Sequence, residues 1–272
     1  SDVCSSDLIT GVEMQNANIE IETDEQIHAK LNERFEVLNE LVQGSIDGDI
    51  RAIIVSGPAG LGKSYSVEKL LEANSVPDDC IIKGYVKATG LYRLLYRNRH
   101  DGDVLVFDDA DSVFFDDLSL TLLKAVLDTS DRRVVSYLAE GKLIDEETAE
   151  LLPKSFQFNG TVVFITNLDF PAMIDRGHKL APHLEALMSR AMYIDLGMKN
   201  KRDYFIRIKQ VIADGMLNSF TAEQQNDILS FIEENIDSLH ELSLRMALKI
   251  AACYKRGANW KKIARVACIR SA

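Results

Sequence analysis

Gly57-Pro58-Ala59-Gly60-Leu61-Gly62-Lys63-Ser64 is a complete GxxxxGK[ST] string. Glycines at this spacing let backbone N–H groups curl around a phosphate, and a helix starting at Lys63 adds the positive end of its dipole. In that arrangement Lys63, read as a solvent-facing side chain, reaches the β- and γ-phosphates of a nucleotide, and Ser64 ligates Mg²⁺. Further on, Val104-Leu105-Val106-Phe107 is uniformly apolar and ends in Asp108 and Asp109, with Asp111 close behind. A carboxylate at the tip of a buried strand lies beside the phosphate loop, because both sit at the carboxyl edge of one parallel sheet. Asp108 is then placed to hold the Mg²⁺ shell. Asp109 is placed to orient and activate water, with Asp111 as the other candidate base.

Such residues need a scaffold, and the hydrophobic pattern supplies one. Residues 52–55 (AIIV) form a short continuous apolar run, as in a strand buried on both faces. The glycine loop and a helix from 63 to about 73 follow. Strands are expected at 80–83, 104–107, 162–165 and 192–194, and helices at 91–96, 119–127 and 182–190. Alternation of this kind predicts an α/β fold, a five-stranded parallel P-loop NTPase sheet flanked by helices. After residue 196 the strands stop. Helical spacing at 202–214, 222–235, 243–254 and 260–268 predicts a small all-helical lid domain, with Trp260, Ile263 and Val266 read as lid core. Upstream, Ile27, Leu31, Phe35, Leu38 and Leu41 or Val42 fall at helical intervals, with Thr23 or Asp24 as cap. One stretch interrupts the alternation: 133–138 and 155–159 read as strands around a polar helix at 145–152. The expected organisation is therefore an N-terminal helix and linker at 9–45, an ATPase core at 46–198 with an insertion at 130–159, and the lid at 199–272. Residues 1–8 (SDVCSSDL) match nothing downstream, follow no initiator Met, and resemble the in-frame translation of a sequencing adapter. They are expected to be a non-native leader, the alternative being an ordinary disordered start.

Composition bounds the rest. A chain of 272 residues, 46% hydrophobic and 27% charged, suits about two globular domains rather than a disulfide scaffold or a disordered tail. No apolar run approaches the ~18 residues of a membrane helix, so no membrane partner is expected. The formal charge of −11 argues against a surface built mainly to wrap nucleic acid, while leaving room for a local basic channel. Cys4, Cys80, Cys253 and Cys268 show no metal spacing and suit a reducing, cytoplasmic setting.

With 57–64 as a Walker A loop and 104–109 as a Walker B strand, the chain resembles the AAA+ ATPases over about residues 46–268. The resemblance implies nucleotide contacts from Gly57, Pro58, Ala59, Gly60, Leu61, Gly62, Lys63, Ser64 and Tyr65. It makes Asp109 the water-activating acid, where Glu is the more familiar residue. Residues 161–167 (TVVFITN) are similar to the family's sensor 1, with Asn167 at the strand's tip reaching the attacking water or the γ-phosphate. Ser189-Arg190, just before the fifth core strand, stands where the family carries an arginine finger for a neighbouring subunit, with Arg176 as the rival. Glu241-Leu242-Ser243-Leu244-Arg245-Met246-Ala247 resembles sensor 2, with Arg245 reaching the γ-phosphate from the lid. Each of these arginines also has an ordinary helical reading. The implied activity is hydrolysis of ATP to ADP and phosphate with Mg²⁺. It would run in a homo-oligomeric ring, a hexamer being one candidate, that remodels a protein or nucleic-acid client. The alternative is a slow, nucleotide-gated switch or loader that delivers a helicase or clamp to DNA. Tyr85-Val86-Lys87 falls near the family's aromatic pore loop, and is equally common packing chemistry. Asn200-Lys201-Arg202-Asp203 spells the guanine-reading NKxD, but no matching DxxG is present and a lid helix should begin there. His178 and His183 lack a carboxylate partner for a metal site.

Overall fold

The computed structural model of the protein describes residues 22–138, 141–145 and 147–270. The reading of 1–8 as a leader lies outside these residues. Helix α1 (Asp24–Ile46) opens the described chain, and Thr23 with Gln26 closes a capping box at its start. Strand β1 (Ala52–Ser56) leads through the glycine loop into α2 (Lys63–Ala73). Then come β2 (Ile81–Lys83), α3 (Ala88–Arg97), β3 (Val104–Asp108) and α4 (Asp117–Val126). A small antiparallel pair, β4 (Val134–Ser136) and β5 (Ser155–Gln157), precedes β6 (Thr161–Thr166), α5 (Phe170–Asp175), α6 (Ala181–Met188) and β7 (Met192–Asp195). Four lid helices complete the order: α7 (Lys201–Val211), α8 (Ala222–Glu234), α9 (Leu244–Tyr254) and α10 (Trp260–Cys268).

Five strands make one all-parallel sheet in the order β2-β3-β6-β1-β7. The expected fold class is borne out. Alternate residues of each central strand enter opposite cores. Ile54, Leu105, Phe107, Val162 and Phe164 face α3, α4 and α6, while Ile53, Val55, Val106, Val163 and Ile165 face α1 and α2. Burial on both faces is what makes these strands apolar throughout rather than alternating. Phe35, Leu38 and Val42 of α1 belong to the second of these cores. This helix is thus packed as a layer on the α/β sheet. The lid has a core of its own, running from Phe205 to Cys268 around Phe231 and Trp260, but Ile263 and Val266, expected in it, are exposed because the buried stripe of α10 runs through Trp260, Ala264 and Cys268 instead.

The insertion differs from expectation. Its two strands are present but shorter, and the helix expected at 145–152 is absent among the described residues. Ile144 instead bridges Leu151 antiparallel, with Asp145 N donating to Glu150 O at 2.8 Å. The Asp145 carboxylate accepts from the N–H groups of Glu147 and Thr148, offering the backbone a turn in place of helical bonds. Arg97 of α3 grips the same carboxylate and also Glu147, which holds the Asp145 carboxyl well below the usual range. An arginine on the core thereby fixes a two-stranded arm where polar composition alone suggested a helix.

Candidate active site

Parallel pairing brings the ends of β1, β3 and β6 to one edge, and β6 lies between the other two. Asn167, one residue past β6, is therefore held between the phosphate loop after β1 and the acids after β3. Its Nδ2 donates to Asp109 Oδ1 at 2.7 Å, and its Oδ1 accepts from Lys63 Nζ at 2.9 Å. Beside this chain, Ser64 Oγ donates to Asp108 Oδ1 at 2.8 Å. Asp108 is 4% exposed, whereas Asp109 and Asn167 face solvent. Five of the expected residues, Lys63, Asn167, Asp109, Ser64 and Asp108, are thus brought together at one edge.

Lys63 corrects the sequence reading. Its side chain is 5% exposed rather than solvent-facing, because Nζ folds back to donate to the carbonyls of Gly57 and Pro58 as well as to Asn167. Burial brings its pKa down to about 8, against the pull of Asp109, Asp108 and Asp111; the nearby Arg245 charge lowers it further.

Asp109 and Asp111 are set apart by their surroundings. Asp109 takes a left-handed backbone conformation at φ 53°, uncommon outside glycine, which turns its carboxylate toward Asn167. Asp111 is held by Thr166 Oγ1 at 2.6 Å, and burial raises its pKa. The exposed, singly held Asp109 is the better placed of the two to meet a water.

The loop fits a polyphosphate. Gly57, Gly60 and Gly62 all have positive φ, and the backbone N–H groups opening α2 have no helical acceptor. At Gly60 a Cβ would come within 2.7 Å of Ser243 Cβ, so this position accepts only glycine while the lid is packed against it. Tyr65 is 64% exposed, which leaves its backbone N–H as the group able to meet a nucleotide. Ser64 and Asp108 offer a hydroxyl and a carboxylate oxygen, hard donors suited to Mg²⁺. Among the described residues no group of three His, Cys, Asp or Glu side chains forms a metal cage. A divalent ion here would be shared between these two residues and the phosphates.

The lid meets the loop directly. Leu244 N donates to Gly60 O at 2.9 Å, and Ser243 caps α9 through Met246 N. Arg245, in the first turn of α9, consequently lies beside Gly60 and within electrostatic range of Lys63.

Arg190 is elsewhere. It precedes Met192, which pairs with Ile53 near the start of β1, so it lies at the opposite edge of the sheet from the loop after Ser56. Its Nη1 donates to Ala186 O at 2.7 Å, closing the end of its own helix. Arg176 caps the end of α5 and is exposed.

Two cations at this edge escaped the sequence reading. Lys83 pairs in register with Asp108 across β2 and β3, and its Nζ stands 3.3 Å from Asp108 Oδ2 and 2.6 Å from Glu68 Oε1. Arg207 of α7 is 7% exposed, stacks 3.4 Å from the Phe35 ring centroid, and reaches Leu61 O at 3.4 Å. It ties α1, the lid and the loop together. Strand register would have revealed Lys83; a lone Arg on an amphipathic helix gave no signal.

The decoys resolve locally. Asn200 caps α7 through Asp203 N, and Asp203 Oδ2 accepts from Lys199 N, so the NKRD string is a helix start, as expected. His178 Nδ1 accepts from Leu180 N within its own turn. Tyr85 is 78% exposed beside Val86, whose N–H donates to Ser112 Oγ.

Over 250 residues the chain is 38% identical to the uncharacterized 36.7 kDa protein in the nrdC-mobD intergenic region of Enterobacteria phage T4, covering 89% of this chain and 76% of that protein. No protein-family model matches the chain. Among solved structures, the ORC2 protein of Aeropyrum pernix, in ADPNP–ADP complexes, superposes with a TM-score of 0.46 at 13% identity, over 90% of this chain and 68% of that one. C. elegans PCH-2 does so with a TM-score of 0.42 at 12% identity, over 89% and 66%. No helix among the described residues is long and apolar enough to cross a membrane.

Proposed function

The chain belongs to the family of the phage T4 36.7 kDa protein encoded between nrdC and mobD, and we propose that it is an AAA+ ATPase, hydrolysing ATP to ADP and phosphate. One observation carries this reading: Asn167 joins Lys63 to Asp109 while Ser64 meets Asp108 beside it, all at the carboxyl edge of the sheet. Lys63 exchanges its loop carbonyls for phosphate oxygens, and the N–H groups opening α2 cradle the remaining charge. Ser64 and Asp108 would hold Mg²⁺, which would supply neutralisation of phosphate charge. Asp109 accepts the proton of the attacking water, and Asn167 fixes the direction of that carboxylate. Arg245 approaches from the lid, so closure of α9 onto Gly60 completes the site.

A neighbouring subunit could add a further cation to this site. Arg190, at the far edge, can do little for a nucleotide in its own subunit but can face one bound by a neighbour. That role requires a homo-oligomeric ring. Arg190→Ala is expected to bind ATP normally and to lose on the order of 10³-fold or more in turnover, the effect of fingers supplied in trans. Mixing it with Lys63→Ala protein should restore part of the activity, because some interfaces then pair an intact loop with an intact finger. Turnover of the mixture, followed with oligomer size by light scattering, checks this. No rescue where mixed oligomers form would leave Arg190 as a helix-end residue and pass the role to Arg176.

The shorter Asp109, in place of Glu, favours a second reading as a slow nucleotide-gated switch. The two readings separate by turnover: a motor accelerates cooperatively as protein concentration rises, and a switch stays slow throughout.

A further inference from the structure

Charge is distributed unevenly along this acidic chain. Residues 242–272 hold eight Lys and Arg and no Asp or Glu, so all 42 acidic residues and the other 23 of the 31 basic ones precede them. The described part of this stretch folds as α9, a Gly257–Asn259 turn and α10. Most of its cations stand in solvent. On α10, Trp260, Ala264 and Cys268 form the buried stripe, and Lys261, Lys262 and Arg265 lie together on one exposed flank, spanning roughly 100° of the helix. Between the two helices Arg256 is exposed as well, while on α9 the exposed Arg245 lies beside the phosphate loop and Lys249 is exposed one turn further on. Lys249 pairs with Glu241 at 2.9 Å, whereas Arg256, Lys261, Lys262 and Arg265 meet no carboxylate among the described residues.

We propose that this lid face binds the phosphate backbone of duplex DNA. The exposed Lys and Arg flank of α10, a helix that carries no acid of its own, matches a uniformly anionic polymer, and phosphate contacts supply most of the affinity in such complexes. Lysine is by contrast depleted where proteins meet proteins. The aromatics select the duplex over single strands. Single-strand binders stack bases on exposed rings, but the lid's large exposed apolar side chains are Leu248, Ile263 and Val266. Its rings stack inward on one another, Tyr254 on Trp260 at 4.8 Å and Phe231 on Trp260 at 5.3 Å. The negative remainder of the chain repels DNA, so the field orients the duplex onto the lid. The inference does not rest on the ATPase reading; taken with it, it makes duplex DNA the class of client.

The test is fluorescence anisotropy of the full chain with a labelled duplex of about 30 base pairs, and with its single strand, at about 50 and about 200 mM KCl. The wild type should bind the duplex at low salt, and affinity should fall on the order of tenfold or more at the higher salt. Lys261→Gln/Lys262→Gln/Arg265→Gln should weaken duplex binding at least tenfold and flatten the salt dependence by roughly three phosphate contacts, with ATP binding unchanged. Circular dichroism confirms that the variant folds; should it not, Lys262→Gln/Arg265→Gln must show an intermediate loss. No duplex binding by the wild type, unchanged affinity in the variants, or tighter binding to the single strand would each overturn the proposal. So would a variant that loses self-association in sedimentation yet keeps its DNA affinity, since the face would then join copies of the chain. Failure of ATP binding with duplex binding intact would count against the ATPase reading alone.

Discussion

Lys63→Ala is expected to abolish nucleotide binding. Each charge-assisted hydrogen bond from an ammonium to a phosphate oxygen contributes about 1.5–3 kcal/mol, so losing even one weakens binding by roughly 10- to 150-fold, and Lys63 reaches two phosphates. The buried position of Lys63 adds a second consequence. Its Nζ serves the carbonyls of Gly57 and Pro58 and the amide of Asn167, so truncation leaves acceptors unmet inside the loop. Lys63→Met leaves the same acceptors unmet but keeps the aliphatic stem, so it avoids the cavity that Lys63→Ala adds. Both variants should fail to bind a fluorescent ATP analogue, while the Met variant keeps the closer to wild-type melting temperature. Wild-type affinity in the Met variant would show that the loop does not bind phosphate through Lys63.

Asp109→Asn should retain Mg·ATP and lose hydrolysis by about 10²–10⁴-fold, because an amide cannot accept the proton of water. The substitution changes no backbone demand, since Asn tolerates the left-handed φ of 53° nearly as well as Asp. Asp111→Asn serves as the comparison. Thr166 Oγ1 already occupies its carboxylate, so the main consequence of that change is a disturbed turn after β3. Single-turnover phosphate release measured for both variants decides between them. A severe loss in Asp111→Asn alongside a mild one in Asp109→Asn would reverse the assignment of the base.

How much of this was legible in the sequence depends on how local each feature is. The loop at 57–64 is contiguous, and its glycines announce a backbone geometry few other residues allow. The three central strands, β1, β3 and β6, are buried on both faces and read as apolar runs. Asn167 could be named from its place after an apolar strand, but its bonds to Lys63 and Asp109 follow from β6 lying between β1 and β3, a matter of strand order. Lys83 was missed for the same reason: its partnership with Asp108 is set by the register of β2 on β3. The folded-back Lys63 escaped because nothing in GxxxxGKS distinguishes a lysine aimed at solvent from one satisfied by its own loop. The arm at 130–159 was misread because helical composition at 145–152 is outweighed by one buried carboxylate, held by Arg97 and two backbone N–H groups.

This edge of the sheet is proposed to hydrolyse ATP with a divalent metal. Phosphate release from ATP by the wild-type chain, with Mg²⁺ and with excess chelator, tests it most directly when Lys63→Ala is run beside it across protein concentration. Mg²⁺-dependent release is expected from the wild type, suppressed by the chelator and absent from Lys63→Ala. Equal release by wild type and Lys63→Ala, or none from the wild type at any concentration, would contradict it.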